Sequence, residues 1–165
     1  MDDPALPGPV DTLVALGARF RLHEHPGAVE PRDVCAALGV PLERTVKTLA
    51  FVTPEDRLVL AALPGHARLR YGPLARAAGI RRTDLSPADA GRLARIGMRP
   101  GGICPVSADP TAVVVFDDSV PELGRIHCGS GHPDLTVEMD AADLMAVLPS
   151  ARTAPIAAAP PDEPA

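Results

Sequence analysis

Two short apolar runs, Val46 to Val52 and Arg57 to Leu63, flank Thr53-Pro54-Glu55-Asp56, and no other stretch restricts the fold as much. The runs have the β-branched residues and the alternation of strands, and the segment between them is a turn with acidic tips. Together they predict an antiparallel hairpin. Period 2 places Val46, Thr48, Ala50 and Val52 on one face of the first strand, and Lys47, Leu49 and Phe51 on the other. Lys47 is the only lysine in the chain; the other fifteen basic residues are arginines. An ammonium among such neighbours is partly desolvated or must snorkel to an opening. Two readings stand: a strand-end lysine that reaches water, or a point charge aimed into a pocket, where the planar fork of Arg would not substitute.

Around the hairpin, helices and strands alternate irregularly. A helix starts near Asp11 with Leu13, Val14 and Leu16 inward and ends near Gly17. Arg19 to His25 reads as a strand, with His23 and His25 on one face. Glu30-Pro31 opens a helix with Val34, Cys35 and Leu38 inward, closed by Gly39. Pro73 to Ala78 is a short helix stopped by Gly79, and Ser86, as N-cap before Pro87, starts another that ends at Gly97. Strands follow at Val113–Phe116, Arg125–Cys128 and Leu135–Met139, then a last helix from Ala141 to Leu148. Residues 1–9 are expected to form a flexible lead-in, and residues 151–165 a disordered Ala- and Pro-rich tail. What lies between, residues 10–150, is expected to be one α+β domain with a mixed sheet flanked by helices.

No apolar run approaches the ~20 residues of a membrane span, and the acidic start lacks the regions of a signal peptide. Three widely spaced cysteines without a CxxC fit a reducing cytoplasm. The formal charge of −5 is uneven: residues 66–100 carry eight arginines against two aspartates. That balance argues against a large nucleic-acid footprint and leaves room for a small one, or for a solvated helix face.

Gly101-Gly102 and Gly129-Ser130-Gly131 are either ordinary tight turns or loops whose N–H groups meet an anion or a carbonyl oxygen. Neither fits a Walker A or a dinucleotide fingerprint. His23, His25, His66, His127 and His132 with Cys104 and Cys128 lack any paired ligand spacing, so neither metal nor cofactor is expected. There is no GxSxG, and Cys104 reads as a small buried thiol rather than a nucleophile.

Taken in order, VKTLAFV, RLVLAALPGHARL, GMRPGGICPV, VVVFDDSV and IHCGSGHPDLTVEMDAADLMAVL resemble the YbaK/EbsC family of aminoacyl-tRNA deacylases. That family is related to the editing domain inserted in bacterial prolyl-tRNA synthetase, and the resemblance covers residues 10–150. It implies the family's mixed, largely antiparallel sheet flanked by helices. It also implies a trans-editing enzyme that hydrolyses the ester of a mischarged tRNA, most typically tRNA(Pro) carrying Cys, Ala or another small amino acid. The family's essential lysine maps onto Lys47 and its neighbouring pocket residue onto Thr48. The Gly-Gly-x-x-Pro loop maps onto Gly101, Gly102 and Pro105, the late loop onto Gly129, Ser130 and Gly131. On this reading Gly101 and Gly102 stand where a Cβ would intrude on the bound ester, and their N–H groups would hold its oxyanion. Ile103, His23 and Thr136 would shape the pocket, and Arg68, Arg70, Arg81 and Arg82 would meet the tRNA acceptor end. A prolyl-tRNA synthetase is the implied protein partner. Two positions depart from the Cys-specific branch: Gly129 where Ser is frequent, and Thr136 where Asp is frequent.

Overall fold

The computed structural model describes residues 7–158. Its first elements are α1 (Gly8–Ala15), β1 (Arg21–Glu24), α2 (Pro31–Leu38), β2 (Thr45–Val52) and β3 (Leu58–Pro64). Next come β4 (Arg68–Leu69), α3 (Tyr71–Ala78), β5 (Ser86–Pro87) and α4 (Ala90–Ala94). The chain then forms β6 (Val113–Asp117), β7 (Arg125–Gly129), β8 (Leu135–Asp140), α5 (Ala141–Val147), β9 (Arg152–Ala154) and β10 (Ala157–Ala158). The main sheet runs β1-β8-β7-β2-β3-β6-β9, with β5 added to β2, while β4 and β10 pair separately. The hairpin β2–β3 is antiparallel from Val46 opposite Pro64 to Val52 opposite Leu58. The pairs β2–β7, β3–β6 and β6–β9 are parallel and the other pairs of the sheet antiparallel, so the sheet is mixed. Among the described residues no helix is long and apolar enough to cross a membrane.

Alternation along the hairpin divides the core in two. Val46, Ala50, Leu58, Leu60 and Ala62 join Cys128, Val137 and Met139 under α1, α4 and α5. Phe51, Val59, Ala61, Val113 and Val115 face the other way, against Leu74 and Ala78 of α3. Every residue of β3 is buried, as a central strand covered on both faces should be.

Several local expectations change. Leu13 is buried, but Val14 and Leu16 are exposed, and α1 packs through Pro9, Val10 and Leu13 instead. Gly8 and Pro9 therefore belong to a helix rather than to a lead-in; residues 1–6 lie outside the described part. Helix α2 has the expected frame, with Glu30 and Asp33 in a capping box and Gly39 at φ 68°. It buries no residue fully, because it serves as a wall of the cleft described below. Ser86 does not cap α4. Ser86 and Pro87 are drawn out as β5 against Phe51 and Val52, and Asp89 caps the helix by accepting the Arg92 N–H at 2.8 Å. The C-terminal segment is ordered as far as it is described. β9 adds in parallel to the outer edge of β6, Ile156 is wholly buried under α3, and Asp117 accepts the Ala157 N–H at 2.8 Å. A composition of Ala and Pro conceals two strands this short; residues 159–165 lie outside the described part.

Candidate active site

β2 and β7 run side by side for only two residues, Thr45–Val46 against His127–Cys128. β7 then ends at Gly129 while β2 continues, and β5 takes up its edge only at Phe51 and Val52. Over this gap lies a cleft of about 470 Å³. Its floor is Thr45 to Leu49, one wall is the segment from Ala28 to Val34, and the other is formed by 101–103 and 132–133.

Lys47 lies half-buried in that floor. Burial pushes its pKa below the usual lysine value, and the Glu30 carboxylate works against that shift. Thr48 is 6% exposed, and its buried Oγ1 has no hydrogen-bond partner among the described residues. The Thr45 carbonyl accepts from Gly65 on the β3 side, and the Ala50 carbonyl accepts from Ala88 on the β5 side. Alternate residues of a strand address opposite edges, so the Thr48 N–H and C=O face the edge that neither β7 nor β5 covers. Thr48 thus turns its main-chain polar groups toward this open edge, with its unpaired hydroxyl buried beside them.

The two glycine loops dock on each other. Gly131 N–H donates to the Gly102 carbonyl at 2.6 Å, and Arg99 N–H donates to the Gly131 carbonyl at 2.7 Å. A Cβ on Gly102 would lie 2.7 Å from His132 N, and one on Gly129 would collide with the Ile103 carbonyl. Loop contact therefore accounts for these glycines, and this corrects the expectation that a Cβ at Gly102 would first meet the ester. Gly102 N–H is also spent, on the Arg99 carbonyl at 3.0 Å. The N–H groups of Gly101 and Ile103 have no acceptor among the described residues. Gly101, Gly102, Ile103 and Gly129 line the cleft. Pro105, Ser130 and Gly131 do not. Pro105 is buried behind the loop; Ser130 donates to the Leu135 carbonyl at 2.6 Å and accepts from His132 N–H; Gly131 lies against Gly97 and Pro9.

His23 also lies outside the lining, and its Nε2–H donates to Glu138 Oε1 at 2.7 Å. It does not act with His25, whose Nδ1–H donates to the Pro26 carbonyl and whose Nε2 accepts from the Thr136 hydroxyl. Thr136 is buried and lines the cleft. His127, Glu30 and His132 line it too, and the sequence did not single them out for this cleft. The two-residue spacing of His127 from Gly129, which puts both on one strand face, was the available signal. His127 Nε2 lies 3.6 Å from Glu138 Oε1, and its buried Nδ1 has no partner among the described residues. Burial lowers the pKa of His127 and of His132.

Arg68, Arg70, Arg81 and Arg82 are exposed, and none lines the cleft. Arg70 reaches the Pro155 carbonyl, and the Arg82 guanidinium lies 5.9 Å from the centre of the Tyr71 ring. Cys104 has no exposed surface, and burial pushes its thiol up to about 12. That disfavours the thiolate a nucleophile requires.

The family model for the aminoacyl-tRNA editing domain matches residues 25–147. The proline–tRNA ligase of Thiobacillus denitrificans is 32% identical over 112 residues, and that of Bordetella petrii 33% identical over 116. These matches cover 67% and 66% of this chain but 19% of each ligase, so the chain spans about a fifth of those relatives. Among solved structures, one described as a candidate trans-editing enzyme for prolyl tRNA synthetase has a TM-score of 0.79 at 20% identity, over 94% of this chain and 99% of its own. The hypothetical protein APE2540 gives 0.78 at 22% identity, over 92% and 99%. At these identities the structural likeness is one of fold.

Proposed function

Because the chain belongs to the aminoacyl-tRNA editing domain family, we propose that it is a trans-editing deacylase that hydrolyses the ester of a mischarged tRNA in the cleft over β2. The substrate we assign is tRNA(Pro) carrying Cys, Ala or another small amino acid. The observation that carries this reading is Lys47, the only lysine, half-buried in a cleft floor beside the free edge of Thr48. An aminoacyl ester is intrinsically labile, so orientation and charge placement matter more than a strong nucleophile. The Lys47 ammonium would hold the terminal adenosine's phosphate or offset the charge that develops as the carbonyl is attacked. With Gly102 N–H engaged, the free N–H groups of Gly101 and Ile103 are the donors that remain in this loop for the oxyanion. A water molecule supplies the attacking oxygen to the acyl carbon, the acyl–ribose C–O bond breaks, and the ribose oxygen leaves with the proton that the water gives up. Thr48, Ile103 and Thr136 would limit the size of the amino acid, the sieve logic of editing.

Arg68, Arg70, Arg81 and Arg82, outside the cleft, would contact phosphates of the tRNA acceptor end, and a prolyl-tRNA synthetase is the proposed protein partner. A panel of mischarged tRNAs tests the whole reading. The wild-type chain should release one small amino acid from tRNA(Pro), and Lys47→Ala should fall to the uncatalysed rate while melting like wild type. Binding of mischarged tRNA without release would make the protein a silent recognition module. Release only from small esters would make it an esterase.

A further inference from the structure

The deacylase reading makes no use of the polar cluster on β1, β7 and β8. We infer that His23, His127 and Glu138 form a binding site for one divalent transition-metal ion of the Zn²⁺ class. The sequence scatters these residues, but the strand register gathers them. His127 is directly opposite Glu138 in the β7–β8 ladder, and His23 is opposite Thr136, two residues from Glu138 on the same face. One potential ligand atom from each of His23, His127 and Glu138 lies within 4.8 Å of the other two. The two contacts to Oε1 measure 2.7 and 3.6 Å. A tetrahedral ion with bonds of about 2.0–2.2 Å holds its ligands about 3.3–3.6 Å apart, so small side-chain rotations complete the set. Three protein ligands leave a fourth position open.

The surroundings support the assignment. Arg125 Nε donates to the other carboxylate oxygen, Oε2, at 2.6 Å. This leaves the oxygen that both histidines face available, and it fixes the carboxylate plane as an outer partner does. The guanidinium repels a dication, which is partly offset by Asp140, 3.5 Å from Arg125. Affinity is accordingly expected in the micromolar rather than the nanomolar range. Two imidazoles and one carboxylate suit Zn²⁺, Co²⁺ or Ni²⁺ rather than Mg²⁺ or Ca²⁺. His23, 33% exposed, provides the way in. On binding, the proton that His23 now gives to Glu138 moves to its Nδ1. The ring proton of His127 is likewise held on Nδ1, the buried atom without a partner among the described residues.

The test needs no tRNA, so it stands or falls separately from the deacylase reading. The full chain, stripped with a chelator, is titrated with Zn²⁺ by calorimetry and with Co²⁺ by visible absorption. We expect one saturable equivalent, no thiolate charge-transfer band, and imidazole ¹⁵N shifts confined to His23 and His127. His23→Ala and His127→Ala should each weaken binding on the order of tenfold or more, while His66→Ala should not. The nitrogen shifts on the unmutated chain keep the test decisive if a variant melts early. Absence of saturable binding would overturn the inference and leave a plain hydrogen-bonded cluster. Unchanged affinity in the His23/His127 double variant, or loss of binding in Cys35→Ser, would equally overturn it.

Discussion

Lys47 combines half-burial in the cleft floor with a carboxylate, Glu30, that opposes the effect of burial on its charge. Under the proposed mechanism the ammonium is the working form. Its lowered pKa then predicts that single-turnover rates fall on the alkaline side at a lower pH than an exposed lysine would give. Glu30→Gln removes the opposing influence and should move that limb lower still. Lys47→Arg should be inactive yet folded, because a planar fork cannot occupy a space shaped for a compact ammonium. An alkaline limb unmoved by Glu30→Gln would detach it from Lys47. The lysine was legible in the sequence because its residue type was unusual for the chain and its neighbours were apolar. The unpaired Thr48 hydroxyl was not, since nothing local reveals that β7 and β5 leave a gap beside it.

Glycine positions were legible, but their partners were not: Gly102 and Gly129 each make room for the other loop, about thirty residues away, while Gly101 lies against Ala28 and Gly131 against Gly97 and Pro9. Gly102→Ala must displace the His132 backbone and so should cost stability as well as activity, about 1–3 kcal/mol by analogy with overpacked cores. A thermal melt unchanged in that variant would return the glycine to the ester. The start of α4 failed for another reason. Ser86-Pro87-Ala88-Asp89 contains two competent caps, and the free end of the β2 edge claimed the first of them as β5. At the C-terminus, β9 owes its existence to the exposed edge of β6 and to the space that Ile156 fills, neither of which composition reports.

Across the whole molecule the charge is divided, with the arginine-rich stretch at 66–100 set against acidic surroundings. If Arg68, Arg70, Arg81 and Arg82 contact phosphate, neutralising two of them should raise KM and flatten the salt dependence while kcat hardly changes. An unchanged salt slope would place tRNA on another surface. Acid stability follows from Glu138, whose carboxyl is held at about 2 against its usual 4.5, chiefly by Arg125 and then His23. A carboxyl depressed in the folded state stabilises above its unfolded value, and that contribution is lost as pH falls through the folded one. Melting temperature should therefore decline between about pH 4.5 and pH 2, and Glu138→Gln should flatten the decline. The hairpin, the alternation of its faces and the mixed sheet were legible throughout, because periodicity encodes them locally. Strand order was not, because it joins residues far apart in the chain.

A sheet resists bending through its ladder of hydrogen bonds, and here the ladder is uneven. The hairpin β2–β3 is registered over seven residue pairs, whereas β2–β7 is registered over two. Compliance is thus concentrated along one fold line, with β1, β8 and β7 as one stiff plate and β2, β3, β6 and β9 as the other. The cleft lies on that line; the bonds between Arg99, Gly102 and Gly131 join the two loops of one wall, and the Ala28 N–H, which donates to the Pro133 carbonyl at 2.7 Å, braces that wall against the other. With only two registered pairs between the plates, the spacing of the walls rests on that brace. Loosening the brace should accordingly blur the discrimination between small and large aminoacyl esters before it abolishes turnover, a ratio that competition between two charged tRNAs reads directly.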